Sequence, residues 1–232
     1  MRNKLRLLLA MRSIFFLLAS VLLYTILSRS FHEISRWWTI TVTVGNIATL
    51  LVLWLICRRQ GTTFARFINY EKGKTRGKTI IFVVLIMIAT GMGGMQLAGI
   101  ICYGELPYFP VMMIQAIPLW IAVTIIFLLP LTTTLAEDGV YLGVINQDNS
   151  KSMVVFSALF YAIQHSFIPF LPDIRFVLYR FLSFLPLAVI MCFWYRKNRN
   201  PLPFMVGHFV LNLATVAQIV MISVNPEIFQ LP

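Results

Sequence analysis

Three features of the sequence predict an all-α membrane protein, a polytopic helical bundle of about seven transmembrane helices with a cytoplasmic N-terminus. The first is composition: of 232 residues, 59% are hydrophobic and only 12% are charged, and the mean hydropathy is +0.83. A soluble domain with a polar surface carries far more charge than this. The second is that the apolar residues gather into runs near the roughly 20 residues a helix needs to cross a hydrocarbon core about 30 Å thick. The alternating pattern of membrane barrel strands is missing. The third is the uneven distribution of lysine and arginine between these runs, which sets orientation.

The apolar runs place spans near residues 7–28, 38–57, 79–102, 111–145, 152–171, 175–195 and 202–224. The N-terminus, MRNKLRLLLAMRS, is basic like a signal peptide, but its apolar run continues to Ser28 without a small-residue cleavage site, so it reads as a retained first span. Pro118 and Pro130 in the long fourth run predict a kink or break. The GMGG stretch at 91–94 reads as helix-packing or kink glycines.

One membrane face collects Arg2, Lys4, Arg6, Arg58, Arg59, Arg66, Lys72, Lys74, Arg76, Lys78, Lys151, Arg196, Lys197 and Arg199, with Arg12 counted beside them. The other carries Arg29, Arg36 and Arg175, with Arg180 slightly inside the sixth span. Seven alternating crossings with this asymmetry put the N-terminus inside and the C-terminus outside. The segment 58–78, RRQGTTFARFINYEKGKTRGK, reads as a solvated, lipid-facing positive loop. Loops this short leave room for one integral membrane domain, 1–232, without internal repeats or linkers.

Composition and motifs also exclude function classes. The net charge of +11 lies in short segments between apolar runs, without interleaved aromatics to stack bases, so membrane lipid is the expected partner and nucleic acid is not. Cys57, Cys102 and Cys192 lack CxxC spacing and suggest neither disulfides nor a metal site. HExxH, GxSG, GxGD, Walker A and dinucleotide-binding glycine patterns are all missing, and no cofactor is expected. A small transporter would require paired discontinuous helices and repeat symmetry, which the sequence lacks.

Ionisable side chains at membrane depth are costly and mark functional candidates. Here they are Glu137, Asp138, His165 and His208. Glu137 and Asp138 follow thirty-one residues, Leu106 to Ala136, without a charge. Counted by helical rise from the cytoplasmic ends, Glu137 lies roughly 12 Å deep, His208 roughly 9 Å, Asn212 roughly 15 Å and His165 roughly 20 Å. Helix tilt shifts such depths by about 5 Å, so Glu137, His165, His208 and Asn212 can share one interior cavity. His208 and Asn212, four apart, project from one helix face. Glu137 and Asp138, adjacent and about 100° apart, cannot both aim at one atom. One is the reactive candidate, and the other supports it or faces a different neighbour.

These residues resemble the motifs of the CPBP family, the CAAX proteases and bacteriocin-processing enzymes that include the type II CAAX prenyl endopeptidases. Its pattern is Glu-Glu-x-x-x-Arg, Phe-x-x-x-His and His-x-x-x-Asn on successive spans. This chain has Glu137-Asp138-Gly139-Val140-Tyr141-Leu142, Tyr161-Ala162-Ile163-Gln164-His165 and His208-Phe209-Val210-Leu211-Asn212, in that order. The resemblance covers roughly residues 111–220 as a catalytic core. It implies a metal-free intramembrane endopeptidase, open to the cytoplasmic side of the cell membrane, acting on a membrane-associated peptide or protein. Glu137 with His165 would activate water, and His208 and Asn212 would donate to the oxyanion, with Asp138 and Tyr161 in support. Two histidines and a glutamate also form a zinc-like ligand set, without diagnostic spacing. Asp138 and Tyr161 are mild departures from the pattern. Leu142, where the family has arginine, removes a charge beside the carboxylate, and an impaired member serving as a bacteriocin-immunity or scaffold protein is the alternative it implies.

Overall fold

The computed structural model describes residues 2–106 and 113–229. The expected start of the fourth span at residue 111, where the expected catalytic core also begins, lies outside the described residues, as do the extreme ends of the 1–232 domain. In chain order the helices are α1 (Arg2–Leu27), α2 (Phe31–Ser35), α3 (Trp38–Arg59), α4 (Phe64–Phe67), α5 (Gly77–Tyr103), α6 (Leu119–Thr133), α7 (Gly139–Gln147), α8 (Lys151–His165), α9 (Ile174–Asn198) and α10 (Leu202–Val224). A π-helical turn, Thr134–Asp138, joins α6 to α7, and a 3-10 turn, Pro226–Phe229, follows α10. The chain is an all-α membrane bundle.

Among the described residues six helical segments are long and apolar enough to cross a membrane: Leu5–Leu27, Trp38–Arg59, Gly77–Tyr103, Leu119–Gln147, Ile174–Asn198 and Leu202–Val224. The expected span at 152–171 differs. It is realised as the fifteen-residue α8, about 22 Å long and shorter than a hydrocarbon core. The Ser150 hydroxyl caps its start by accepting from the Met153 N–H at 3.3 Å. Its end is fixed by the turns that follow His165 and lead into Pro169 and Pro172, residues that cannot continue a helix. Pro118 likewise precedes α6 rather than kinking it, whereas Pro130 lies inside the helix.

Helix α9 packs against both α5 and α8, α10 lies against α5 and α6, α1 lies against α8, and α3 lies against α6. The central core is apolar and aromatic, with Leu9, Leu53, Met87, Tyr141 and Tyr161 fully buried. Of the GMGG glycines only Gly94 lies at a tight contact. A Cβ there would overlap the Ser183 carbonyl of α9, whereas at Gly91 or Gly93 it would meet open space.

The basic segment 58–78 is not wholly solvated. Phe64, Phe67 and Ile68 recur at helical spacing, so α4 has one apolar face, and Phe67 and Ile68 are buried. Gly139 and Gly143 of α7 leave space for the rings of Phe64 and Phe67, respectively. The Asn146 amide donates to the Phe67 carbonyl at 3.1 Å, and the Tyr195 hydroxyl donates to that of Ile68 at 2.8 Å. The segment therefore seats a plug against α7, while Glu71 to Arg76 keep their side chains in the open apart from the half-buried Thr75.

Replacing Gly94 by leucine forces α5 away from a backbone carbonyl, and overpacking of this kind costs about 1–3 kcal/mol. Gly94→Leu is expected to lower the thermal midpoint in detergent, and Gly93→Ala to leave it unchanged; equal effects would contradict the packing described.

Candidate active site

The site is built around the π turn. Pro130 has no N–H to give the preceding turn, and the chain widens just beyond it into i→i+5 geometry, an insertion common at functional positions. Both acids of this turn are buried, Glu137 at 2% exposure and Asp138 at 0%. They engage the same residue of α10 through different atoms. Asp138 Oδ1 lies 3.2 Å from His208 Nδ1, and Glu137 Oε2 lies 3.7 Å from His208 Nε2. Gly207 lets α10 pack closely on α5, because a Cβ there would overlap the Met87 sulfur.

His165, the last residue of α8, supplies the third group. Its Nδ1 lies 2.7 Å from the Tyr161 carbonyl, an acceptor only, so a proton is assigned to Nδ1, and Nε2 faces Glu137 Oε2, 3.9 Å away. The ring stacks on Phe184 at 3.6 Å and 13°. Arg180 fixes this corner from α9 by donating to the carbonyls of His165 at 3.2 Å and Ile168 at 2.6 Å. The Tyr161 hydroxyl is 3.4 Å from His208 Nε2.

Glu137, Asp138, Tyr161, His165 and His208 thus converge. Asn212 sits one turn beyond His208, and its amide donates to the His208 carbonyl at 3.0 Å. Glu137 Oε2 is buried without a hydrogen-bond partner among the described residues and faces the two Nε2 atoms. Such an arrangement can accept a proton from a molecule bound between them. Among the described residues no three or more His, Cys, Asp or Glu side chains are arranged to hold a metal ion.

Arg12 is the residue that sequence reasoning missed. Counted with the basic residues of the N-terminal face, it is instead only 4% exposed, inside the bundle. Its Nη2 donates to Glu137 Oε1 at 3.0 Å and to Asn46 Oδ1 at 2.8 Å, its Nη1 to Thr49 Oγ1 at 2.7 Å and its Nε to Gln164 Oε1 at 2.8 Å. An arginine does reach the carboxylate, from α1, while Leu142 lies fully buried in the apolar core. A signal was present: Arg12 interrupts the run LLLAMRSIFFLL, where a charge is a functional candidate by default.

Residues 114–214 match the family model for Rce1-like proteins, type II CAAX prenyl endopeptidase Rce1-like. This segment belongs to the CPBP/CAAX protease family. No curated protein and no solved structure matches the chain. The CAAX protease segment holds Glu137, Asp138, Tyr161, His165, His208 and Asn212, whereas Arg12, Asn46 and Thr49 lie before it.

Gln164 accepts from both Arg12 Nε and the Tyr141 hydroxyl, the latter at 2.9 Å. Gln164→Leu strands these donors, each at a cost of about 1–3 kcal/mol. A lower unfolding midpoint in detergent is expected, with a smaller loss for Gln164→Glu, which retains an acceptor; equal stability of both variants and the wild type would refute the network.

Proposed function

We propose that the chain is an intramembrane endopeptidase in which Glu137, assisted by His165, takes a proton from water as it attacks a peptide carbonyl. The observation that carries this reading is the unpartnered, buried Oε2 of Glu137 between two imidazole Nε2 atoms. The family match supports a CAAX-type membrane protease. Water adds across the scissile C–N bond, and the proton gathered by the Glu137–His165 pair is returned to the leaving amine.

His208 and Asn212 serve the tetrahedral oxygen. An Nε2–H donor on His208 requires the doubly protonated ring, whose charge the Asp138 carboxylate at Nδ1 offsets. Asn212 uses one amide N–H on the His208 carbonyl and keeps a second for the oxyanion. Tyr161 orients His208 through its hydroxyl. The core of this activity is residues 111–220 within a single membrane domain, 1–232. The substrate is a membrane-associated peptide or protein, and the excess of lysine and arginine in the loops of one face supports a site open to the cytoplasmic side of the cell membrane, against anionic lipid. The mechanism uses no metal or other cofactor.

The test is cleavage of a farnesylated CAAX reporter peptide by the purified chain in phospholipid vesicles. Glu137→Gln, His165→Ala and His208→Ala, each retaining its helical circular dichroism, are expected to lose at least about 10²-fold in rate. No cleavage by the wild type would leave a non-enzymatic scaffold or immunity protein as the reading, and wild-type rates in all three variants would remove these residues from the mechanism. A chelator is expected to leave the wild-type rate unchanged, and loss restored by zinc would assign the histidines to a metal.

A further inference from the structure

We propose that Arg12 of α1 is a positioning residue for the reaction: it holds Glu137 by Oε1 and thereby presents Oε2 to the two histidines. The inference rests on reading Glu137 as the base. Guanidinium donors are planar and fixed in direction, and those of Arg12 are distributed over α3, α8 and the π turn. Every acceptor other than Glu137 is itself tied down. Asn46 Nδ2 donates to Thr133 Oγ1 at 2.8 Å, the Thr49 hydroxyl donates to the Gly45 carbonyl at 2.7 Å, and Gln164 Oε1 also accepts from Tyr141. The guanidinium is therefore located by three neighbours before it meets the carboxylate.

The approach of α1 is set equally tightly. A Cβ at Gly45 of α3 would lie 2.6 Å from the Phe15 ring and 2.9 Å from the Phe16 ring of α1. The Phe16 ring also lies 5.2 Å from the Arg12 guanidinium carbon. With Oε1 bound, the carboxylate cannot turn about its last torsion without breaking a buried ion pair, so the oxygen left over always faces His165 Nε2 and His208 Nε2. Helix α1, which lies before the family segment, is on this account part of the active site.

A role in holding α1 alone would predict lost stability without altered chemistry at the histidines. The chain has three histidines, His32, His165 and His208, and His32 is exposed on α2. In [15N]histidine-labelled protein in phosphatidylcholine vesicles, Arg12→Gln is expected to move the Nε2 resonances of His165 and His208 and to leave those of His32 in place. On the farnesylated reporter, kcat should fall about 10²-fold, as for a reacting group displaced by about 1 Å, with KM within about twofold. Arg12→Lys keeps the charge but cannot serve four fixed acceptors. It should show the same resonance shifts with a loss of about tenfold, and it provides both readouts if the glutamine variant does not fold. Unmoved Nε2 resonances with unchanged kcat, whatever happens to the melting temperature, would overturn the proposal. If the wild type does not cleave the reporter, the endopeptidase reading fails and the resonances alone decide: shifted Nε2 signals sustain the control of Glu137 by Arg12, and unshifted ones refute it.

Discussion

A carboxylate removed from water inside an apolar bundle is retained only if an opposite charge and well-placed hydrogen bonds offset several kcal/mol of lost solvation. Glu137 imposes this requirement here, and Arg12 meets it at 3.0 Å. The guanidinium then imposes its own demand for acceptors, which Asn46, Thr49 and Gln164 meet. One buried pair thus dictates that α1, α3, α8 and the π turn bring polar groups to the same level. The surrounding core of leucine, methionine and tyrosine closes around that level.

The long spans are legible in the sequence because hydropathy over some twenty residues is a strong signal. The extent of α8 is not. Phe167, Ile168, Phe170 and Leu171 keep the segment apolar after the helix has ended, so composition continues where geometry stops. Glu137, His165 and His208 stand out because ionisable residues are rare at such depth. Their companion Arg12 shares that property but lies near an otherwise basic helix end, where charge counting absorbs it. Its pairing with a residue 125 positions away leaves no periodic trace. The seating of Phe67 under Gly143 is hidden in the same way, since a loop that reads as basic carries its few apolar residues to one side.

The departure at Leu142 takes a different meaning from the fold. A leucine in the motif position removes a cation from the chain segment that holds the acids, but the cation at the carboxylate comes from elsewhere in the bundle. Motif and site are therefore not coextensive. The matched segment, 114–214, supplies the acids and histidines, and the first and third helices supply the groups that fix one of those acids in place.

The π turn carries one residue more than an α-helix would use over the same length. Each residue of a helix advances its faces by about 100°, so this single insertion sets the rotational phase of α7 relative to α6. It turns Asp138 toward His208 and, in the same motion, brings Gly139 and Gly143 under Phe64 and Phe67. The candidate site and the loop seated beneath it are indexed to one joint in the helix, so neither can be rephased without the other.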